Sequence, residues 1–190
     1  SENTTTYAFF SKTYTLTYDR KRTSGNSTLS VDVSNFSGTK ESGSAIPTGH
    51  QIIFTATPAS GYVIEGWYSD EASTVSLDNG QNPTYTISSL DADKSVYVKF
   101  EQLKTITIKF AHEAKDGWTI QGVRRYPESG GQRISANGKW VTIEFTNVYA
   151  VSNIDLAYSG GDWDYLNTAT KITGDCCYNR NGSLNASCCV

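Results

Sequence analysis

An aromatic segment near the carboxyl end of the chain contains the residues best suited to bind a ligand. Gly160 and Gly161 come shortly before Trp163, which has an aspartate on each side, and Tyr165 and Asn167 follow. An exposed ring beside carboxylates and amides suits a sugar, because the ring stacks on apolar C–H faces while the polar groups hydrogen-bond the hydroxyls. The alternative is a tight loop whose tryptophan fills the core.

Further aromatic and polar residues in the second half extend this candidate carbohydrate site. Trp118 follows Asp116-Gly117 at a predicted strand start, where a core position is the alternative. For each polar residue, an exposed loop position without a ligand is the alternative role. The full set predicted to bind carbohydrate is Trp163, Trp118, Tyr126, Tyr165, Asp164, Asn167 and Arg124.

The elements that must position these residues are predicted to be β-strands. Aromatic residues make up 12% of the 190 residues, and long runs of helix-favouring residues are missing. Apolar and polar residues alternate in short stretches such as 13–18, 29–33 and 140–145, which is the period of a half-buried strand. Residues 20–27 contain Gly25-Asn26 and predict a hairpin loop, as does Asn137-Gly138.

The strand pattern divides the chain into two predicted domains. A polar seam at residues 101–104 separates a first half, ending in the strand 95–100, from a second half with seven or so short strands. We expect a linker or edge strand over 1–11, a small β domain over 12–102, and an antiparallel β-sandwich over 103–190. The predicted fold class is therefore all-β.

The first half resembles the divergent internalin B-repeat of bacterial surface proteins. The resemblance rests on Gly61-Tyr62, Gly66-Trp67-Tyr68, Asp70, Tyr85-Thr86-Ile87 and the closing Val96-Tyr97-Val98-Lys99-Phe100. It implies a small, β-grasp-like module that acts as a stalk or spacer. From the residues themselves, Tyr62, Trp67, Tyr97 and Phe100 are predicted to be core aromatics.

The second half is similar to the starch- and glycan-binding β-sandwich modules attached to secreted bacterial amylases. The marks are Thr107-Ile108, Gly117-Trp118, Tyr126-Pro127, Gly130-Gly131, Trp140 and the run from Ile154 to Asn167. Tyr165-Leu166 interrupt the Trp-Asp-Asn pattern of that family, and Arg124-Arg125-Tyr126 stand near the place of its His-Tyr-Arg element. The resemblance implies polysaccharide binding.

Composition and motifs argue against several other functions. The net charge of -3 and a longest basic run of three residues, 20–22, disfavour nucleic-acid binding. No apolar stretch approaches the roughly 20 residues needed to span a bilayer. Asp162 and Asp164 do not form the opposed pair of a glycosidase, whose carboxylates stand about 5–10 Å apart in a cleft. We predict no enzyme activity, no cofactor and no metal site.

The four cysteines form two vicinal pairs, Cys176-Cys177 and Cys188-Cys189. A hairpin turning near Gly182 would place the two pairs opposite each other, and disulfides are then the favoured interpretation. Zinc binding and free thiols are the alternatives. Disulfides would indicate an oxidising compartment.

Together these features predict a non-catalytic region of a bacterial cell-surface or secreted protein that binds a polysaccharide. Its partner would be a starch-like α-glucan or another glycan, and the chain would be part of a larger surface protein or attached to one. The alternative is a structural or adhesive module that spaces other domains or contacts protein.

Overall fold

The computed structural model describes residues 11–21, 26–111, 120–126, 131–137, 140–158, 163–166 and 172–178. These residues form strands and connecting turns without any helix, which confirms the all-β prediction. The chain divides into two compact units, Ser1–Glu101 (unit 1) and Gln102–Val190 (unit 2). The predicted linker over 1–11 lies almost wholly outside the described residues.

Each unit is built from seven of the described strands. The strands of unit 1 are β1 (Thr13–Lys21), β2 (Thr28–Val33), β3 (Ser44–Pro47), β4 (Ile52–Thr57), β5 (Tyr62–Tyr68), β6 (Thr84–Ile87) and β7 (Lys94–Gln102). Those of unit 2 are β8 (Lys104–Ala111), β9 (Ile120–Tyr126), β10 (Gly131–Asn137), β11 (Trp140–Val148), β12 (Ser152–Tyr158), β13 (Trp163–Leu166) and β14 (Cys176–Tyr178).

Unit 1 contains two sheets, with strand orders β3-β1-β7-β5 and β2-β4-β6. Strand β1 runs antiparallel to β3 and parallel to β7, so it lies inside its sheet. The hairpin predicted across residues 20–27 is wrong, because β1 and β2 belong to different sheets. Pairing of β1 with the distant β7 replaces the local pairing that the Gly25-Asn26 turn signal favours.

The core of unit 1 collects the alternate residues of these strands. In β4, Ile52, Phe54 and Ala56 are buried, and the intervening residues are only partly covered. Strand β7 repeats the pattern with Val96, Val98 and Phe100. The period of two therefore buries one side of each strand, as the sequence predicted.

Unit 2 contains a sheet in the order β10-β11-β8-β14 and a second sheet in the order β13-β12-β9. In the first, Ile143 pairs with Ile108 and Phe145 with Ile106, and all four side chains are buried. The hairpin predicted at Asn137-Gly138 is confirmed by the antiparallel pairing of β10 with β11. The first sheet is not wholly antiparallel, because β14 runs parallel to β8.

Candidate functional site

The three-stranded antiparallel sheet of unit 2 brings together most of the residues that the sequence assigned to carbohydrate. Its central strand, β12, pairs with β13 on one side and with β9 on the other. Strand β13 carries Trp163, Asp164 and Tyr165, and β9 carries Arg124 and Tyr126. The sheet therefore gives these residues fixed positions relative to one another.

Backbone register arranges the residues of this sheet in rows that cross all three strands. Asp155 of β12 lies opposite Tyr165 of β13 and opposite Arg124 of β9, a set that we call the polar row. Two residues further along β12, Ala157 lies opposite Trp163 and Gly122. We call these three residues the tryptophan row.

The two rows occupy the same face of the sheet. Residues that are directly opposite in an antiparallel pair share a face, and so do residues two apart along one strand. Adjacent strands lie about 4.8 Å apart, so each row spans roughly 10 Å between its outer strands. We call this side of the sheet the row face. Tyr126 lies two residues beyond Arg124, opposite Ser152, where the register of β12 and β9 is irregular.

The register assigns Asp164 to the other side of the sheet from its neighbours Trp163 and Tyr165. Asp164 lies opposite Leu156, which in turn lies opposite Val123. In the polar row the carboxylate is instead that of Asp155, which sequence reasoning missed. The sequence could have indicated Asp155, because this residue lies between Ile154 and Leu156. Such an alternation places the acidic residue on the face opposite the aliphatic residues.

Trp163 does not lie in a loop, as the sequence suggested, but begins the edge strand β13. Antiparallel pairing with β12 accounts for the difference, because it makes residues 163–166 part of the sheet. The remaining predicted ligands, Trp118 and Asn167, lie outside the described residues, as does the connection between the two strands.

Two of the four cysteines lie within the four-stranded sheet of unit 2. Cys176 and Cys177 are buried in β14, where Cys176 pairs with Ile108 and Cys177 with Lys109. Cys188 and Cys189 fall outside the described residues, so the disulfide pairing and its alternatives stay predictions. Within the described residues, no group of three or more histidine, cysteine or acidic side chains is placed to hold a metal ion.

The aromatic residues of unit 1 divide between its core and the opposite face of its larger sheet. Trp67 is fully buried, Phe100 is 4% exposed, and Tyr62 packs partly buried against the same core. The indole of Trp67 stacks on Tyr85 and donates a 2.8 Å hydrogen bond from Nε1 to a backbone carbonyl. These positions agree with the predicted core role.

The predicted core role of Tyr97 is wrong. Its neighbours Val96 and Val98 are buried, so strand alternation turns Tyr97 to the other side of β7, where it is half-buried. The ammonium of Lys21 lies 5.4 Å from the centroid of the Tyr97 ring. The same ammonium lies 2.8 Å from a carboxylate oxygen of Glu71 and lowers the pKa of that carboxyl group through the hydrogen bond and the opposite charge.

A groove of about 690 Å³ in unit 1 runs beside β1 and is lined by residues that include Tyr18, Asp19, Arg20, Glu71 and Tyr97. Tyr18 donates its hydroxyl hydrogen to a backbone carbonyl, and burial followed by the charge of a nearby glutamate raises its pKa. The ring of Tyr97 is covered by an ammonium group on one side. Both tyrosine side chains are thus already engaged in interactions within unit 1.

A hydrogen-bonded turn follows β5 and contains Glu71, which lines this groove. The Asp70 carboxylate accepts hydrogen bonds from the backbone N–H groups of Thr74 and Val75, at 2.9 and 2.6 Å, and from the Thr74 hydroxyl. These bonds lower the pKa of Asp70, with the Val75 N–H as the largest cause. Ser73 adopts a left-handed backbone conformation, with φ of 58°, inside the same turn.

Comparison with known proteins finds a similarity for part of the chain. Among the described residues, no helix has the length and apolar character needed to cross a membrane. No curated protein and no solved structure matches the chain. Residues 27–104 match the family model of the divergent InlB B-repeat domain, whereas no match supports the resemblance of the second half to starch- and glycan-binding modules. Residues 27–104, most of which lie in unit 1, are therefore similar to the divergent InlB B-repeat domain.

Proposed function

We propose that this chain is a non-catalytic region of a bacterial cell-surface or secreted protein, and that unit 2 binds polysaccharide on its row face. In this proposal unit 1 acts as a spacer, the role that the internalin B-repeat resemblance implies. The matching family model supports the surface location. The carbohydrate-binding role rests on unit 2 alone.

The observation that carries the proposal is the register of β13, β12 and β9. It assigns Trp163 to the same face as Tyr165, Asp155 and Arg124, within two neighbouring rows. Sugar recognition needs an aromatic plane next to hydrogen-bonding groups, and these four residues supply both kinds of chemistry. The other two positions of the tryptophan row hold the small residues Ala157 and Gly122.

The sequence of the opposite face supports the same assignment. The register places four aliphatic residues there, namely Ile154, Leu156, Leu166 and Val123, together with Asp164, and strand alternation adds Arg125. The face that holds most of the aliphatic residues of a sheet is normally the one packed against its own domain. We therefore propose that the row face is the one directed to solvent, where a polysaccharide can reach it.

Binding at such a face is expected to be weak for a single site. Stacking and a few hydrogen bonds must offset desolvation of polar groups and ordering of the ligand. Retention on a polymer would then depend on attachment to a larger protein with further binding sites, because tethering raises the effective concentration of each site.

Affinity electrophoresis in gels containing soluble starch, followed by a glycan array, tests this function. We expect the polysaccharide to retard the wild type, and Trp163→Ala to weaken binding by about 30-fold, the loss typical of truncating a central tryptophan in a binding site. Tyr97→Ala is the matched control, because it removes a half-buried aromatic residue from unit 1. It should leave the retardation unchanged.

Two outcomes would contradict the proposal. Equal retardation of wild type and Trp163→Ala would show that the polysaccharide does not bind to the row face. Absence of binding to every α-glucan and host glycan on the array would favour the second candidate function, a purely structural or adhesive module. That alternative is favoured by the B-repeat match itself and by the burial of Trp67 in the core of unit 1.

A further inference from the structure

The row face carries one basic residue among the described residues of its three strands, and that residue is Arg124. The neighbouring Arg125 follows it by a single position in β9 and so falls on the opposite face. Strands β12 and β13 contain no lysine or arginine. The attraction of this face for an anionic ligand therefore depends on the charge of the residue paired with Arg124.

The register places Asp155 directly opposite Arg124. Directly opposite positions in an antiparallel pair have Cβ atoms about 4.5–5.5 Å apart, close enough for opposite charges to offset each other. Residues 102–190 as a whole carry nearly equal numbers of basic and acidic residues. The charges of Arg124 and Asp155 therefore balance in the polar row, and the unit as a whole lacks the large positive charge that attracts acidic polymers.

The other residues that the described register places on the row face are uncharged. Trp163, Ala157 and Gly122 form the tryptophan row, and Tyr165 completes the polar row. A guanidinium donates hydrogen bonds and a carboxylate accepts them, so a pair of the two matches hydroxyl groups, which do both. An acidic sugar would gain no net attraction from a row that holds one positive and one negative charge.

From this placement we propose that the row face selects neutral polysaccharides over acidic ones, and that Asp155 determines this selectivity. The inference rests on the proposed polysaccharide-binding function and adds the chemical class of the ligand. It also assigns Asp155 a role that differs from simple contact with the sugar, because the carboxylate cancels the attraction that Arg124 would otherwise exert on acidic polymers.

Affinity electrophoresis of the full chain in two gels, one containing soluble starch and one containing polygalacturonate, tests the selectivity. The wild type should be retarded by the neutral polymer and not by the acidic one. Asp155→Asn should gain retardation by polygalacturonate of up to about fivefold, the range of an exposed ion pair, and the gain should disappear as salt is raised. The double variant Asp155→Asn/Arg124→Gln should be retarded by polygalacturonate no more than the wild type. That result would attribute the added binding of Asp155→Asn to the guanidinium of Arg124.

The possible failures separate the two proposals. Retardation of the wild type by polygalacturonate as strong as by starch, abolished by Trp163→Ala, would overturn the selectivity and leave the binding face in place. An Asp155→Asn variant that keeps the wild-type melting temperature but gains nothing on the acidic polymer would also overturn it. Absence of retardation in both gels for every variant would instead refute polysaccharide binding, and the selectivity with it.

Discussion

Replacement of Leu16 by alanine tests whether β1 belongs to the core of unit 1. The side chain of Leu16 is fully buried in β1, which is flanked by β3 and β7, so the surroundings have little freedom to close a cavity. A buried leucine replaced by alanine costs about 2–5 kcal/mol, and we expect about 3 kcal/mol here. With a urea dependence of about 1.5 kcal/mol per molar, the unfolding midpoint of unit 1 should fall by about 2 M.

Tryptophan fluorescence measures this unfolding, because Trp67 is the single tryptophan of residues 1–101. Comparison with Trp67→Phe identifies the transition of unit 1, because that transition is then missing from the fluorescence curve. Thr15→Ala is the matched control, since the side chain of Thr15 is exposed on the same strand. If Leu16→Ala moves the midpoint no further than this control, β1 does not stabilise the unit, and the domain begins within the matched region 27–104.

Two further predictions concern the turn after β5. Hydrogen bonds depress the pKa of Asp70 below its ordinary value of 3.8, so their stabilisation is present above about pH 4 and lost as pH falls through the lower folded-state pKa. Asp70→Asn should therefore lower the urea midpoint at pH 7, and its difference from the wild type should shrink as the pH falls below about 4. A difference that stays constant as the pH is lowered would contradict this origin. Ser73→Gly should raise stability by about 0.5–1 kcal/mol by relieving its positive φ, whereas Ala72→Gly, where φ is not positive, should lower thermal stability in the same scan.

Strands with a period of two were predictable from the sequence because each buries one face locally. Residues 52–57 and 95–100 alternate so regularly that their buried positions follow from the order of apolar residues alone. The same alternation contained the correct position of Tyr97, between two buried valines. The size of the Tyr97 side chain favoured a core position, whereas its place in the strand indicated the opposite face.

Pairings between distant strands were not predictable from the sequence. The parallel alignment of β1 with β7 joins residues 16–21 to residues 94–99, and no local signal encodes such a contact. The short strand β3 was missed as well, since its buried Ile46 stands alone between a glycine-rich turn and Pro47. In both places the stabilisation comes from a neighbour that is remote in sequence.

The candidate carbohydrate site shows why register matters more than proximity in sequence. Asp164 is adjacent to Trp163 in the chain, yet a residue one step along a strand belongs to the opposite face. Asp155 is eight positions earlier, yet pairing with Tyr165 assigns it to the same face as Trp163. Asp155→Asn should therefore change ligand selectivity, whereas Asp164→Asn should not. A binding site made from a sheet follows its cross-strand rows, and a compact sequence motif describes only one edge of it.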